Sequence, residues 1–343
     1  MSEILFEGLP VADATRFARE LAARETGGLA AFLPNRPIEG FRTRVTRVSR
    51  TTQAAKFRAF DAETPIGKRP VASTVSALEL APLGQKLPLR EQEILQRALQ
   101  DGSLEVAPVV DALYDDTENN VAAILNRAEQ LRGEFLFSGA LVIEENGFIQ
   151  EADFGLPADH DLAVSDLTAA WDAEGADPLA DELEWVDLVR EDANAEPVAT
   201  IGSAKVRRAL MANAAYVAAA GALTGRVTVA QFNQVRADMG LPPFVVYDGK
   251  VGGVRVTPDD KIAIVTATVG ETQWGDTVEG LQLIGSKAVE SASVVAPKIT
   301  ASAWETTDPV NLWSKANATA LTVAGDINGL FVAEVLAGET PES

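Results

Sequence analysis

The side chains that most often carry catalysis near neutral pH are scarce in this sequence. His160 is the only histidine. No Gly-x-Ser-x-Gly segment accompanies it, so the pattern of a Ser-His-Asp hydrolase is missing. A single histidine also cannot make a two-histidine metal site. We therefore interpret His160 as a loop histidine flanked by Asp159 and Asp161.

Phosphate-binding and acid–base patterns are equally weak. The glycines that bound 280–285 are followed by Ser286 and Lys287, whereas a P-loop needs lysine before serine or threonine. The glycines within 249–253 fit tight β-turns. The 50 acidic residues are too many for one acid–base pair to stand out. We expect no catalytic residues, no cofactor site and no metal site.

Composition narrows the class of protein further. The chain has 343 residues, of which 47% are hydrophobic, so it can bury the core of one large or two ordinary domains. It has no cysteine, which excludes structural disulfides and thiolate metal sites. The first residues lack the basic start and apolar run of a secretory signal, and no stretch is long enough to span a bilayer. These features predict a soluble cytoplasmic protein.

Charge is distributed unevenly along the chain. The formal net charge is −21, so most of the surface should repel nucleic acid and anionic membranes. Residues 172–196 contain ten acidic residues and one basic residue, Arg190. Residues 41–69 reverse this pattern, because Asp61 and Glu63 are outnumbered by eight basic residues. These are Arg42, Arg44, Arg47, Arg50, Lys56, Arg58, Lys68 and Arg69.

The basic segment also has the pattern of a β-hairpin. Residues 41–49 and 55–61 are rich in threonine, valine and phenylalanine, with polar residues 50–53 between them. An isolated hairpin is at best marginally stable, so this one should lie on its own domain or on a neighbouring subunit. Two interpretations remain open. Phe57 and Phe60 could form a stacking platform for nucleic acid, or the arginines could contact carboxylates on another copy of this acidic chain.

The longest helical pattern lies at 115–139. Its acidic residues at 115–118 are placed to cap the start, and Gly139 offers a left-handed end. A helix from 116 to 137 would extend about 33 Å at 1.5 Å per residue, enough to cross a domain. The pattern alone is typical of an ordinary core helix. Its apolar face is formed by Val121, Ile124, Leu125, Ala128, Leu131 and Phe135.

Shorter patterns surround this helix. A helix is predicted at 11–24, in a segment that has the character of an arm, and another at 87–99 with Pro88 in its first turn. After the long helix, an Asn-Gly turn at 146–147 predicts a hairpin within 140–152.

From about residue 156 the pattern becomes α/β and then returns to β. A helix is predicted at 179–189. Ser203 should begin another that runs past Val217, and Thr228 with Gln231 should cap a third. Further strands are predicted at 198–201, 244–247, 253–257, 261–267, 291–296, 299–304, 321–323 and 330–336.

A further group of residues lies near the end of the chain, namely Asp308-Pro309, Trp313, Ala316, Leu321-Thr322-Val323, Asp326 and Phe331-Val332-Ala333-Glu334-Val335. This group is similar to the C-terminal signature of the lambda-type major capsid protein E family, and the order of the parts described above resembles the Hong Kong 97 phage capsid fold. A second group resembles the family's Gly…Tyr/Trp-Gly…Glu segment, namely Gly270, Trp274, Gly275 and Glu279. Phe137-Ser138-Gly139 resembles the family's helix end. Residues 324–328 depart from the family, which usually has Pro, Asn-Pro and Asp there.

The resemblance implies an α+β, Hong Kong 97 phage capsid-like fold with five parts. These are an N-terminal arm at 1–38, an extended β-hairpin loop at 39–75, a peripheral domain at 76–158 with a long spine helix at 115–138, an axial domain at 159–280, and C-terminal strands at 281–343 that return to the peripheral domain.

The resemblance also implies a function. A major capsid protein self-assembles through hexamers and pentamers into the icosahedral head shell around packaged phage double-stranded DNA, which it encloses without sequence-specific binding. Expected partners are a scaffold or protease, a portal and, in some members, a decoration protein; no membrane is involved. Assembly is expected in the host cytoplasm and the product in the virion. The eight basic residues are expected to make inter-subunit contacts.

Two alternatives remain open at this point. An encapsulin-like nanocompartment shell protein has the same fold. A soluble cytoplasmic α+β enzyme or ligand-binding protein would have a closed pocket and a small fixed oligomer instead.

Overall fold

The computed structural model describes residues 10–24, 28–48, 72–99, 107–223, 225–285 and 296–337. The α-helices in these ranges are α1 (Val11–Ala23), α2 (Glu91–Ala98), α3 (Ala107–Ser138), α4 (Pro178–Ala193), α5 (Ala204–Ala212), α6 (Ala214–Ala219), α7 (Val229–Asp238) and α8 (Val278–Gly285). Short 3-10 helices lie at Gly28–Ala31, Ala158–His160, Val164–Asp166 and Ile327–Gly329.

The strands of the same ranges are β1 (Asn35–Pro37), β2 (Arg42–Val48), β3 (Ala72–Glu79), β4 (Ala81–Arg90), β5 (Ala140–Glu145), β6 (Phe148–Asp153), β7 (Asp161–Leu162), β8 (Pro197–Gly202), β9 (Phe244–Val246), β10 (Lys250–Val251), β11 (Val254–Arg255), β12 (Lys261–Thr266), β13 (Gly270–Trp274), β14 (Thr300–Thr307), β15 (Val310–Ala324) and β16 (Leu330–Glu334).

Two five-stranded sheets organise these elements. In the first sheet, β15 pairs antiparallel with β4, β13 and β14, and β1 pairs parallel with β13. The second sheet has the order β7-β16-β12-β8-β9. Three separate hairpins are formed by β2–β3, β5–β6 and β10–β11.

The long helix α3 lies against the first sheet and is longer than its sequence pattern predicts. It begins at Ala107 and has 32 residues, so it extends about 48 Å at 1.5 Å per residue. Residues 115–118 therefore lie inside the helix, and the prediction that they cap its start is wrong. Its end is as predicted, because Gly139 adopts φ +65° directly after Ser138.

Buried polar side chains explain why the apolar stripe of α3 seems interrupted in the sequence. Thr117 and Asn120 occupy stripe positions and are buried against β15. Thr117 Oγ1 lies 3.0 Å from the Ser314 hydroxyl, and Asn120 Nδ2 donates to the same oxygen at 3.2 Å. One turn earlier, Leu113 continues the stripe into a small core. C-terminal strand β15 thus packs beside α3.

Gly133 weakens the intrinsic helix propensity of α3, but the packing requires it. A Cβ atom at this position would lie 2.6 Å from the carbonyl oxygen of Val256. Only a glycine lets the helix approach that segment so closely.

Pro88 lies in a strand and not in the first turn of a helix, so the helix predicted at 87–99 begins too early. Pro88 sits opposite Trp313 in the pairing of β4 with β15. Among the described strands β4 pairs only with β15, so the missing N–H of Pro88 is tolerated on the opposite edge of β4. The helix α2 starts at Glu91, and the Glu93 carboxylate accepts the Arg90 N–H at 2.9 Å.

The N-terminal segment contains a helix that packs on the rest of the chain. α1 lies on β14, where Thr15 Oγ1 donates to the Ala301 carbonyl at 3.0 Å. Phe17 contacts Tyr114 of α3 edge to face, with ring centroids 5.1 Å apart. Residues 10–23 thus form part of the body of the molecule.

Three local sequence signals, an Asn-Gly turn and two helix caps, form the structures that they predict. The hairpin β5–β6 turns at Asn146 and Gly147, with φ values of 48° and 84°. The Ser203 hydroxyl accepts the Val206 N–H at 3.1 Å at the start of α5, and the Thr228 hydroxyl accepts the Gln231 N–H at 3.3 Å at the start of α7.

The helix predicted to run from Ser203 past Val217 is interrupted at Asn213. The side-chain oxygen of Asn213 accepts the Ala215 N–H at 2.8 Å, so it caps a new helix, α6. Its amide nitrogen donates to the Ala176 carbonyl at 3.1 Å, which fixes the break against a neighbouring loop.

A hydrophobic core between the second sheet and helices α4–α7 contains a buried ion pair. Arg236 donates to Glu182 at 2.6 Å, and both side chains are completely buried. Tyr216 donates to the same carboxylate oxygen at 3.1 Å. Burial alone would lower the pKa of Arg236, but Glu182 and Tyr216 raise it above its ordinary value.

The C-terminal strands divide between the two sheets. β14 and β15 lie in the first sheet, whereas β16 pairs with β12 in the second. The strand predicted at 321–323 is part of the 15-residue β15. The one predicted at 291–296 falls almost entirely outside the described residues. The division into peripheral and axial domains stays a prediction.

Candidate functional site: the basic hairpin and its root

The candidate site starts with strand β2, which holds the first of the basic residues. Arg42 is exposed; its guanidinium donates to Glu79 at 2.6 Å and lies 5.0 Å from the centre of the Phe41 ring. Arg44 is exposed and has no hydrogen bond or ion pair in the part of the chain that the structure describes. Arg47 lies in β2 opposite Thr74. The other predicted contact residues lie outside the described residues: Arg50, Lys56, Arg58, Lys68 and Arg69.

The strand that pairs with β2 differs from the one that the sequence pattern suggests. β2 pairs antiparallel with β3, with Arg42 opposite Glu79 and Arg44 opposite Ala77. The segment 55–61, predicted as the second strand, lies outside the described residues. We call the pair β2–β3 the basic hairpin.

The basic hairpin joins the body of the molecule at Gly40, which we call its root. Gly40 adopts φ +79°, a conformation that favours glycine. The Asp276 carboxylate accepts the Gly40 N–H at 2.7 Å, and the Asp276 N–H donates to the Gly40 carbonyl at 2.8 Å. Two hydrogen bonds to one aspartate therefore fix the turn from which the hairpin leaves.

Lys298 completes this root. Its ammonium donates to Asp276 at 2.8 Å and to the Ile38 carbonyl at 2.5 Å, and Lys298 is only 6% exposed. A buried lysine is costly unless its charge is paired. The Lys298 ammonium therefore links the segment before the hairpin to the residues that follow β13.

An open groove of roughly 690 Å³ lies beside the root. Phe41, Val278 and Leu281 line it and expose more than half of their surface. The carboxylate of Glu279 accepts Lys315 and Asn317, each at 2.9 Å. The hydrogen bond from Lys315 holds the pKa of Glu279 below its ordinary value.

Residues with possible catalytic chemistry have structural roles in the described part of the chain. His160 is fully buried and lies in a 3-10 helix, so its interpretation as a loop histidine is wrong. Its Nδ1 lies 2.8 Å from the Leu330 carbonyl and its Nε2 lies 3.1 Å from Asp192. The glycines at 280–285 belong to α8. The described residues contain no group of three potential metal ligands.

Gly40, Asp276 and Lys298 were not recognised from the sequence. Asp276 is 236 positions from Gly40, and Lys298 is 260 positions from Ile38, so local patterns cannot connect them. The only local signal is Gly40, which directly precedes the basic segment.

No helix in the described ranges is long and apolar enough to cross a membrane.

The fold of the chain is similar to the folds of solved phage capsid and phage-related proteins. It superposes on the putative capsid protein of a prophage of Escherichia coli CFT073 with a TM-score of 0.64 and 14% identity, covering 97% of this chain and 100% of that one. A phage-related protein from Bordetella bronchiseptica RB50 gives 0.54 at 12% identity, covering 97% and 98%. A chain of the satellite phage P4 procapsid that includes the size determination (Sid) protein gives 0.51 at 10% identity, covering 94% and 99%.

The chain belongs to the family described as phage major capsid protein E, whose model matches residues 19–335. No curated protein matches it. The match confirms the resemblance noted in the sequence and the role of a capsid shell subunit.

Proposed function

We propose that copies of this chain form the hexamers and pentamers of an icosahedral phage head and that the basic hairpin makes contacts between neighbouring copies. The observation that carries this proposal is Arg44, which is exposed and has no hydrogen bond or ion pair among the described residues, on a hairpin whose root is held by Asp276 and Lys298. In an acidic chain, such a cation finds its complement most readily on another copy of the same chain.

The remaining parts of the proposal follow from the family and the charge. Double-stranded DNA is enclosed without sequence-specific contacts, because a net charge of −21 keeps the shell wall from adhering to it. The subunit has no catalytic step of its own. A scaffold or protease, a portal and a decoration protein are the proposed partners, with assembly in the host cytoplasm and the product in the virion.

Charge reversal in the basic hairpin tests the proposal. The purified protein should give shells, capsomers or tubes in negative-stain electron micrographs. We expect Arg44→Glu with Arg47→Glu to reduce assembly by about tenfold or more, because the reversed charges should repel the acidic surface of the neighbouring copy. The monomer should remain folded by circular dichroism.

The matched control is Arg16→Glu with Arg208→Glu, which changes the net charge equally at exposed positions outside the hairpin. A wild-type protein that stays monomeric at every concentration, even with its phage partners, would contradict the shell function. Normal shells from the hairpin variant would contradict only the role of the hairpin charges.

A further inference from the structure

The outward face of the hairpin β5–β6 carries two apolar side chains that the chain itself leaves uncovered. Val142 is 60% exposed and Ile149 is 75% exposed. On the inward face, Leu141 and Ala152 are buried in a hydrophobic cluster that includes Phe135 of α3. Single apolar side chains are common on protein surfaces, but these two lie on the same side of one short hairpin.

Two carboxylates complete this face. The register places Glu151 opposite Val142 and Glu144 opposite Ile149, and residues in direct opposition project from the same side of a sheet. We call these four residues the acidic-apolar face. Within the described residues, neither Glu144 nor Glu151 has a hydrogen bond or an ion pair through its side chain.

The backbone beneath the acidic-apolar face is held in place by α3. Glu134 accepts the Val142 N–H at 2.7 Å, and Arg127 pairs with Glu145 at 3.3 Å. The tight turn at Asn146 and Gly147 closes the hairpin. A surface that is already ordered loses little conformational entropy when a partner covers it.

The basic hairpin is complementary to this face in charge and in polarity. Its Arg42 and Arg44 are exposed, and Phe41 at its start is 51% exposed. No ion pair among the described residues joins the two hairpins within one copy. Arg42 already pairs with Glu79 of its own hairpin, but the charges of Arg44, Glu144 and Glu151 are available for a contact between two copies.

Other acidic surfaces of the described chain fit the basic hairpin less well. The carboxylates of Asp276 and Glu279 near the groove already bind lysines of their own copy. Helix α4 is strongly acidic but exposes no large hydrophobic side chain. Within the described ranges, β5–β6 combines unpaired carboxylates with uncovered apolar side chains.

We propose that the acidic-apolar face is the docking surface for the basic hairpin of a second copy of this chain. Arg44 then faces Glu144 and Glu151, while Val142 and Ile149 exclude water beside the ion pairs and strengthen them. The inference rests on the proposed function, since it assigns the receiving surface for the contact between copies.

A charge exchange tests this pairing. Glu144→Lys with Glu151→Lys should reduce the yield of shells by about tenfold, because it places like charges together. Adding Arg44→Glu with Arg47→Glu should restore the yield to within about threefold of wild type, since the pair is reformed with its signs exchanged. Glu184→Lys with Glu191→Lys, exposed on α4, is the matched control and should assemble normally.

Engineered cysteines give a second readout, because the natural chain has none. Arg44→Cys with Glu144→Cys should form disulfide-linked oligomers in shells under mild oxidation, since a disulfide needs Cα atoms within about 7 Å. Arg44→Cys with Glu184→Cys should not.

The outcomes separate this inference from the proposed function. Normal shells from Glu144→Lys with Glu151→Lys, together with no cross-link, would overturn the docking surface and leave the shell function intact. A wild-type chain that never assembles would contradict the shell function itself. If circular dichroism shows that the lysine variant does not fold, the cysteine cross-link between positions 44 and 144 is the test of the docking surface: its formation supports the surface and its absence overturns it.

Discussion

Asp276 is the residue on which the direction of the basic hairpin depends. One of its oxygens binds the Gly40 N–H and the other binds the ammonium of Lys298. Removal of one member of a buried pair leaves the other charge uncompensated, which costs more than the pair contributes. The root should therefore be sensitive to single substitutions.

We expect Lys298→Met to lower the free energy of unfolding by roughly 3 kcal/mol. This value is at the low end of the range for a broken buried ion pair, because the Asp276 carboxylate still accepts the hydrogen bond from the Gly40 N–H. Chemical denaturation of the unassembled subunit measures the change, and hydrogen exchange at the Gly40 amide reports the loosened root.

Lys250→Met is a suitable control, because Lys250 is exposed in β10. It should change the unfolding free energy by less than about 0.5 kcal/mol. Equal stability of the two variants would mean that the root ion pair does not hold the hairpin.

At the level of elements, helix α3 shows a conflict between local propensity and packing. Alanine is favoured over glycine inside a helix by about 1 kcal/mol. At Gly133, however, the added methyl would press on the backbone of Val256. Backbone cannot move aside as a side chain can, so packing should dominate.

Gly133→Ala is accordingly expected to destabilise the subunit by about 1–2 kcal/mol, as the cost of overpacking exceeds the gain in propensity. Gly285→Ala, at the end of α8 with open space around it, should be neutral within about 0.5 kcal/mol. Thermal unfolding measures the stability of both variants, and a Gly133→Ala protein more stable than wild type would disprove the packing argument.

The sequence predicts those elements best whose signals are local. Asn146-Gly147 and the Thr228 cap depend on residues within a few positions of each other, and both are found as predicted. The predicted start of α3 is too late in the chain. Thr117 and Asn120 are buried because both bond the Ser314 hydroxyl of β15, and the spacing of apolar residues cannot reveal such a contact. The partner of β2 begins at residue 72, far beyond the range of turn chemistry.

At the scale of the whole molecule, basic residues are concentrated in one hairpin and the rest of the surface is acidic. This distribution bears on whether the subunit binds nucleic acid. The acidic surface repels nucleic acid, whereas the basic hairpin alone could attract it. If the hairpin serves contacts between copies, the isolated subunit should bind DNA poorly despite Arg42 and Arg44.

We expect the unassembled subunit to bind a short DNA duplex with a Kd weaker than about 100 µM at physiological salt, measured by fluorescence anisotropy. Tighter binding that falls steeply with salt and disappears in Arg44→Glu with Arg47→Glu would favour the stacking-platform interpretation instead.

The basic hairpin leaves the body of the molecule at its root, so a change of angle at Gly40 displaces the far end of β2 the most. The seven residues of β2 extend about 23 Å at 3.3 Å per residue, so a rotation of about 10° at the root moves the far end of the strand by about 4 Å. That displacement is about the spacing of neighbouring strands. In the proposed shell, we expect small angular differences at this one glycine to fit the same hairpin to five-fold and six-fold surroundings.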